Sequence, residues 1–372
     1  MPSYPYATWL EIDLSAVENN VKSIIKKTGT NFMSVVKANA YGHGAVEVGK
    51  TALAAGACWL AVARVGEALA LRQAGITAPV LVLGMPPLGE LDEAIGAGIT
   101  LPLTGFEAAE MLSQRALAVG KDVNVHLKVD TGMGRLGVFA EEAVRLAEYA
   151  ESLGGIHLDG IYSHFAMADK EDHPLMKAQL TRFQTALDNL ASENIHFKWV
   201  HHANTGATLD FPESRFNLMR GGQLTMGLNP FEYKGLPDDL QPALTAWKSR
   251  LISCKEMPAG WGVGYGSLHT AKEKEIIGAA SVGFGDGIRR VMGIEVLVGG
   301  RRVPVVGSTC MDQIMMSLPE KFPLNSEVVL IGTQGEESQT VEEFASFFGI
   351  VHVDLTTLIN SRVPRVYYRS EG

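Results

Sequence analysis

Along residues 12–235 the chain alternates short, β-branched apolar runs with longer stretches whose apolar positions recur every three or four residues. The runs predict strands over Phe32–Ala38, Cys58–Ala63, Pro79–Gly84, Ile99–Leu103, Val123–Val129, Leu158–Ser163, Trp199–Ala203 and Asn217–Arg220. The spaced stretches include Glu141–Ala150 and Leu175–Ala191, which read as amphipathic helices. Strands alternating with helices in this way predict an α/β fold, a (β/α)8 TIM-like barrel. Pro102 makes the strand near residue 100 the weakest of the set. Near Pro237-Asp-Asp-Leu-Gln-Pro242 the pattern changes. Strands then follow one another over Ala243–Glu256, Ile276–Gly283, Glu295–Val298, Arg302–Val306, Gln313–Ser317 and Glu327–Ile331, with a short helix at Val341–Phe348. This predicts a C-terminal β-rich domain. The expected division is a segment 1–11 joining that β-domain, a barrel over 12–235 and the β-domain over 236–372.

Composition narrows the class. The chain has 372 residues, 46% hydrophobic and 20% charged, which suits a soluble protein of two domains. Its net charge of −9 comes with both signs spread out and no basic block, so nucleic acid is not an expected partner. The start, Met1-Pro-Ser-Tyr-Pro-Tyr, reads as neither signal peptide nor membrane span. Three scattered cysteines, Cys58, Cys254 and Cys310, fit reduced thiols in a cytoplasm better than a disulfide framework or a zinc site, and no metal is expected.

Barrel enzymes place their chemistry at the C-terminal ends of strands. The first strand leads into Val35-Val-Lys37-Ala-Asn-Ala-Tyr41-Gly42-His43-Gly44. A lysine at a barrel mouth must be bonded or neutralised, and an imine bond to an aldehyde cofactor is one solution. Gly42 and Gly44 let backbone approach a phosphate, and Tyr41 can donate to one. The fifth strand leads into Lys128-Val-Asp130-Thr-Gly132-Met-Gly134-Arg135, where alternation puts Lys128 and Asp130 on one side. An inward Lys–Asp ion pair is the plain structural reading there. The sixth ends in Tyr162-Ser163-His164-Phe165, the seventh in His201-His202-Ala203-Asn204-Thr205-Gly206 and the eighth in Met219-Arg220-Gly221-Gly222-Gln223. Loops after strands seven and eight commonly hold phosphate in this architecture, which makes Thr205 and the amides near Gly222 phosphate ligands. Thr205 could equally cap the next helix. In the β-domain, Tyr265 stands between Gly264 and Gly266, a placement that composition alone assigns to packing in a tight turn.

Taken together, these strings resemble the bacterial alanine racemase family over nearly the whole chain. The cofactor-lysine string Val35–Gly44, the Lys128–Gly137 loop, Ser163-His164-Phe165, the Asn204 loop, Gly264-Tyr265-Gly266, Cys310-Met311-Asp312-Gln313 and Arg362–Tyr367 occur in family order. The resemblance implies a pyridoxal 5'-phosphate enzyme, a barrel plus a β-domain working as a head-to-tail homodimer. It implies interconversion of L- and D-alanine, supplying D-alanine for peptidoglycan. Lys37 and Tyr265, the latter from the other subunit, would be the two acid–base groups on opposite faces of Cα. Tyr41, Asn204, Thr205, Gly222 and Gln223 would belong to the cofactor shell. Arg220 would bond the pyridine nitrogen with His164 beside it, and Arg135 the ring's phenolate oxygen. Lys128 would be carbamylated and hold Arg135. Arg135, Met311 and Asp312 would meet the substrate carboxylate.

The chain also departs from the family pattern. Thr205 stands where relatives usually have serine, Gly221 where they have proline, and Gln223 where they have isoleucine. Val353 falls at the place of a phosphate-binding tyrosine, Phe284 at that of another tyrosine, and Ser308 at that of an arginine. These changes keep a broad-specificity or serine-preferring racemase open. A pyridoxal-phosphate decarboxylase of the same layout would carry an acid rather than Arg220 at the pyridine nitrogen. A barrel-only cofactor carrier would lack the β-domain.

Overall fold

The structure, a computed structural model, describes residues 4–370. Residues 1–3 of the expected N-terminal segment lie outside the described residues. The chain divides into two compact units, one formed by residues up to Ser15 together with Pro242 onward, the other by Ala16–Gln241.

The first strand, β1 (Thr8–Asp13), belongs to the first of these units. The second unit carries eight parallel strands: β2 (Asn31–Val35), β3 (Trp59–Val62), β4 (Val80–Val82), β5 (Leu101–Leu103), β6 (Val123–Lys128), β7 (Ile156–Tyr162), β8 (Trp199–His201) and β9 (Leu218–Gly221). They form two four-stranded sheets in the orders β4-β3-β2-β9 and β5-β6-β7-β8. β3, β4 and β5 are buried throughout, as strands covered on both faces must be. Pro102 is accommodated because β5 is only three residues long and lies at the edge of its sheet. Helices separate the strands. The longest, Pro174–Ser192, starts with proline at its first turn, and the His173 ring accepts from the Leu175 N–H at 3.2 Å. Phe32, Met219, Leu224, Phe165 and Leu240 pack into one core cluster on this unit.

The other unit is built on a nine-stranded sheet in the order β18-β17-β14-β15-β16-β13-β10-β1-β19. Its long member β10 (Leu244–Met257) pairs antiparallel with β1. A small two-stranded sheet, β11 (Gly262–Val263) and β12 (His269–Thr270), flanks the segment holding Tyr265. The remaining strands are β13 (Glu275–Ala280), β14 (Glu295–Val298), β15 (Arg301–Val306), β16 (Ile314–Leu318), β17 (Glu327–Gln334), β18 (Glu337–Gln339) and β19 (Arg365–Tyr368). The β-branched residues of β14, β15 and β17 explain why pattern alone finds them within a residue or so at their starts.

The break between units falls later than the sequence pattern suggests. Residues 236–241 stay with the parallel-strand unit, because Leu240 is buried in its core and Asn20 exchanges two 2.8 Å hydrogen bonds with the Gln241 backbone. The helix His352–Leu358, which carries Val353, has no clear signal in the sequence pattern.

Candidate active site

β2 ends at Val35, short of the Ala38 that the apolar run predicts. Ala38, Asn39, Ala40 and Tyr41 all adopt left-handed conformations, with φ of 50°, 56°, 52° and 51°. For residues bearing a Cβ this costs about 1–2 kcal/mol each, so neighbouring groups must hold the turn. Glu67 does much of this. Its carboxylate accepts the N–H of Ala38 at 2.5 Å, of Ala63 at 2.8 Å and of Arg64 at 3.1 Å. The Asn39 side chain accepts from Ala45 at 2.9 Å, and the His43 ring contacts the Ala40 and Tyr41 carbonyls at 3.0 Å. Strand propensity ends with the β-branched pair Val35-Val36, and a partner for the turn lies 29 residues away in sequence.

Lys37 and Tyr41 open onto a cavity of about 280 Å³ within this unit. Its walls also include Lys128, Arg135, Tyr162, His164, Asn204, Thr205, Arg220 and Gly222. Four side chains of cationic type thus share one space, and no carboxylate among the described residues lines it. Burial, reinforced by Arg135, lowers the Lys37 ammonium below its ordinary value. Burial lowers Lys128 to about 7, with Arg220 adding to the effect. Burial and Arg220 also hold His164 well below the ordinary histidine value, so its ring is neutral. Burial lowers Arg220 only to about 10, so it remains a cation at neutral pH.

The anchoring of each group is distinct. Arg220 bonds neutral acceptors only: His201 Nδ1 at 2.7 Å and its carbonyl at 3.1 Å through one terminal nitrogen, then the Ser163 and His202 carbonyls at 2.7 and 3.0 Å and His164 Nδ1 at 3.3 Å through the other. These contacts occupy its four terminal N–H groups and leave Nε–H for a ligand. Asp130 does not pair with Lys128. Its carboxylate accepts the backbone N–H groups of Gly132, Met133, Gly134 and Arg135 at 2.9–3.2 Å. Burial pushes that carboxyl up, but the four N–H donors outweigh it and hold it below its ordinary value. Lys128 itself donates to the Val129 carbonyl at 3.2 Å and lies 4.9 Å from the centre of the Tyr162 ring.

At the other end of the cavity Thr205 Oγ1 accepts from the Gly222 N–H at 3.2 Å. A Cβ on Gly222 would come within 2.4 Å of the Tyr41 hydroxyl, so only glycine leaves this cradle open. The helix Thr205–Asp210 is capped by Asn204, whose Oδ1 accepts from Ala207 at 3.3 Å, which frees Thr205 from that duty. Gly221 is explained by Phe32, whose ring would lie 2.5 Å from any Cβ there. Gln223 begins the short turn Gln223–Met226 and is not among the residues lining the cavity.

Tyr265, Met311 and Asp312 belong to the other unit. Tyr265 is 74% exposed, as are, to a lesser degree, Trp261, Leu268 and Met311. Gly264 precedes it with φ 69°, and a Cβ there would strike the Met315 methyl at 2.6 Å. The Met311-Asp312 loop is tied down from below. Gly285 N–H donates to the Met311 carbonyl at 2.8 Å, and Arg362 bridges Asp312 at 2.8 Å and the buried Asp286 at 2.7 Å. Phe284 lies 4.0 Å beneath the Arg290 guanidinium, and Val353 offers no hydroxyl from its helix.

Residues 12–230 match the profile of the alanine racemase N-terminal domain, and residues 244–367 that of the alanine racemase C-terminal domain. The chain belongs to the alanine racemase family. The alanine racemase of Geobacillus kaustophilus is 42% identical, aligned over all of this chain and 97% of its own. That of Methanococcus maripaludis is 39% identical over 99% of this chain and its whole length. The structure of the Bacillus anthracis alanine racemase, solved with bound L-Ala-P, superposes with a TM-score of 0.93 at 38% identity, covering 99% of this chain and 96% of the other.

Against the family strings, sequence reading overlooked Glu67 and Asn39 and gave His201 no role. Glu67 did carry a signal, since it stands three residues after Arg64 at the start of the helix Val65–Gln73, a capping-box position. His201 carried none beyond its place at a strand end.

Proposed function

We infer that the chain interconverts L- and D-alanine with pyridoxal 5'-phosphate held in this cavity. The observation that carries the reading is a half-buried lysine of lowered basicity sharing with Arg135 and Arg220 a cavity that no carboxylate among the described residues lines. The donor set suits the group. Tyr41, Thr205 and the Gly222 amide form a cradle for phosphate, with Asn204 fixing the adjoining helix and Gln223 adjoining the cradle. Arg220 Nε–H matches an unprotonated pyridine nitrogen, because an arginine at pKa about 10 does not surrender its proton to the ring. Arg135 matches the phenolate oxygen. The neutral amine of Lys37 is the form that bonds an aldehyde. When bound, the cofactor makes the Cα proton of an attached amino acid acidic by spreading the resulting charge.

The protein's own part is to hold and move that proton. Inversion requires removal from one face and return to the other, which two bases on opposite faces accomplish without turning the substrate. Lys37 supplies one face and Tyr265, from a second copy of the chain, the other. Met311 and Asp312 of that copy, with Arg135, meet the substrate carboxylate. The exposure of Trp261, Tyr265, Leu268 and Met311 supports an assembly in which these side chains face another subunit, hence a homodimer. We infer further that the eight parallel strands close as a (β/α)8 barrel. The Leu81–Thr100 bridge links the two sheets at β4 and β5, and Arg220 N–H donates to the Ala203 carbonyl at 3.2 Å beyond β8. Lys128 is the expected site of carbamylation, its amine being half neutral near pH 7. Among the described residues no helix is long and apolar enough to cross a membrane, and the reading places the enzyme in a cytoplasm.

Incubating purified protein with L-alanine and resolving the products by chiral chromatography tests the reading; D-alanine must accumulate to an equal mixture. Val353, which lacks the hydroxyl of the family tyrosine, favours a second reading of broader specificity. L-Serine racemised faster than L-alanine in the same assay would select it.

A further inference from the structure

Behind Arg220 lies a file of buried polar groups that the reaction as derived does not use. Arg220 donates to His201 Nδ1 at 2.7 Å, and His201 Nε2 lies 2.8 Å from His126 Nδ1. His126 Nε2 is buried without a hydrogen-bond partner and lies 3.9 Å from the Asp159 carboxylate. Both rings are wholly buried. The fold makes specific room for this file. β6 and β7 slip register between Val125 and His126, pairing Val125 with Leu158 and His126 with Gly160, so Asp159 is the extra residue of a bulge. Bulges re-aim side chains. A Cβ on Gly160 would lie 2.7 Å from the His126 ring, so glycine is required beneath it. Trp59 at 5.1 Å from His126 and Tyr162 stacked at 4.9 Å on His201 enclose the file in aromatic surface.

With Arg220 in its observed position, hydrogen-bond logic couples the protons along it. An arginine N–H only donates, so His201 Nδ1 accepts and its proton sits on Nε2. That proton is donated to His126 Nδ1, which places the His126 proton on Nε2, facing Asp159. A protonated His201 would put a donor against a donor, so both rings are neutral. Burial lowers both histidines in agreement, and the His126 ring in turn holds the Asp159 carboxyl below its ordinary value.

We propose that Asp159, His126 and His201 are positioning residues: the bulged carboxylate selects the tautomer of two neutral histidines and thereby presents a lone pair that orients Arg220. Reversal at His126 would set N–H against N–H between the two rings and drive His201 to reverse as well, which sets N–H against N–H at Arg220 and releases the guanidinium from its register. The inference rests on the reading of Arg220 as the pyridine-nitrogen ligand, but the tautomers belong to the protein alone.

Two measurements separate the parts. Long-range proton–nitrogen NMR of 15N-histidine-labelled protein, recorded with and without pyridoxal phosphate, should show Nδ1 unprotonated and Nε2 protonated for both rings. Asp159→Leu should mix the tautomers of His126, and Asp159→Glu should retain the pure form. A proton on His201 Nδ1, or tautomers unchanged in Asp159→Leu, overturns the proposal whether or not the cofactor binds. In holoenzyme, Asp159→Leu should lower kcat about tenfold, the low end of what losing an outer-shell partner costs at metal sites, with KM for alanine within about twofold and the cofactor absorbance band shifted, and Asp159→Glu should restore both. Unchanged kcat and absorbance would overturn the link to Arg220. Failure of wild-type protein to take up pyridoxal phosphate would instead refute the functional reading and leave the NMR result to decide the file.

Discussion

The cavity around Lys37 and the segment around Tyr265 differ in how their environment is supplied. Lys128 and Arg220 are only 4% and 3% exposed, and hydrogen bonds from their own unit orient them. Tyr265 stands out from a glycine-flanked turn at 74% exposure. In the cavity, the cost of gathering four cations is met during folding, and lowered amine basicity is the result. The tyrosine segment has a fixed backbone but no enclosing walls, so its chemistry depends on association. On the proposed two-base reading, one base is prepared by folding and the other by assembly.

The largest expected effect comes from the prepared base. Lys37→Ala should reduce racemisation about 10⁴-fold, the top of the range for one acid–base group, because the covalent hold is lost with the base. Borohydride treatment of wild-type protein should fix the cofactor to the peptide containing Lys37. Fixation on another lysine would remove Lys37 from the site.

The assembled base is tested next. Tyr265→Phe keeps the ring and its packing, and should slow exchange of the L-alanine Cα proton in deuterated water about 10²–10³-fold while leaving part of the D-alanine exchange through Lys37. Mixing Lys37→Ala chains with Tyr265→Phe chains should recover activity through the one intact site of each hybrid dimer. Equal loss of exchange for both enantiomers would make the phenol a positioning group. No recovery in demonstrated hybrids would place both bases within one chain and dissolve the contrast between the regions.

How visible these regions are in the sequence follows from the same contrast. Lys37, His164 and Arg220 follow or close strands that their own β-branched residues announce, so the strand pattern put them at candidate positions, while the roles of Arg220 and of Arg135 in its glycine-rich loop came from the family resemblance. Tyr265 lies between glycines in a short turn, where local pattern favours packing, and only the family resemblance gave it a role. The supports were least legible. Asp130 and His201 act through backbone groups or buried partners brought near by folding, and neither propensity nor periodicity encodes that; of Glu67 only the bonds at its own helix start had a local signal, not the one to Ala38. The shift of the domain break from 236 to 242 has the same origin, a side-chain bond from Asn20 more than 200 residues away.

A smaller effect follows from Lys128. Its pKa of about 7 lies below the unfolded value near 10.5, so between those pH values the unfolded chain binds more protons than the native one. Stability must then rise with pH from about 7 to 10, by about 3–5 kcal/mol if the amine stays unmodified. Lys128→Met keeps the volume and removes the titration, so the difference between the two unfolding curves isolates the effect. In carbonate-free buffer the wild-type protein should gain on the variant as pH rises. Adding 13C-bicarbonate should produce a carbamate signal that Lys128→Met lacks and flatten the difference. Parallel stability curves without bicarbonate would mean that the amine is not buried as a lone cation.

The mildest test probes whether the prepared region needs its carboxylates. Glu67 serves three backbone N–H groups with two oxygens, Ala38 on one and Ala63 with Arg64 on the other. In Glu67→Gln only one oxygen remains, and the new NH2 group confronts a donor whichever way the amide turns. These bonds are exposed or half-buried and water takes up part of the loss, so the cost is about 0.5–1.5 kcal/mol. Because the left-handed turn follows Lys37 directly, part of that cost should appear as loosening of the lysine rather than global unfolding. The expected outcome is a Tm lower by a few degrees, with a several-fold fall in kcat and weaker retention of pyridoxal phosphate on dialysis. Asp130→Asn is the internal control, since it loosens the Arg135 loop and leaves the Lys37 turn intact. Equal weakening in both variants would indicate a general loss of charge balance. Unchanged Tm and kcat in Glu67→Gln would show that Asn39, His43 and the backbone bonds hold the left-handed turn by themselves, and Glu67 would then be an ordinary helix cap.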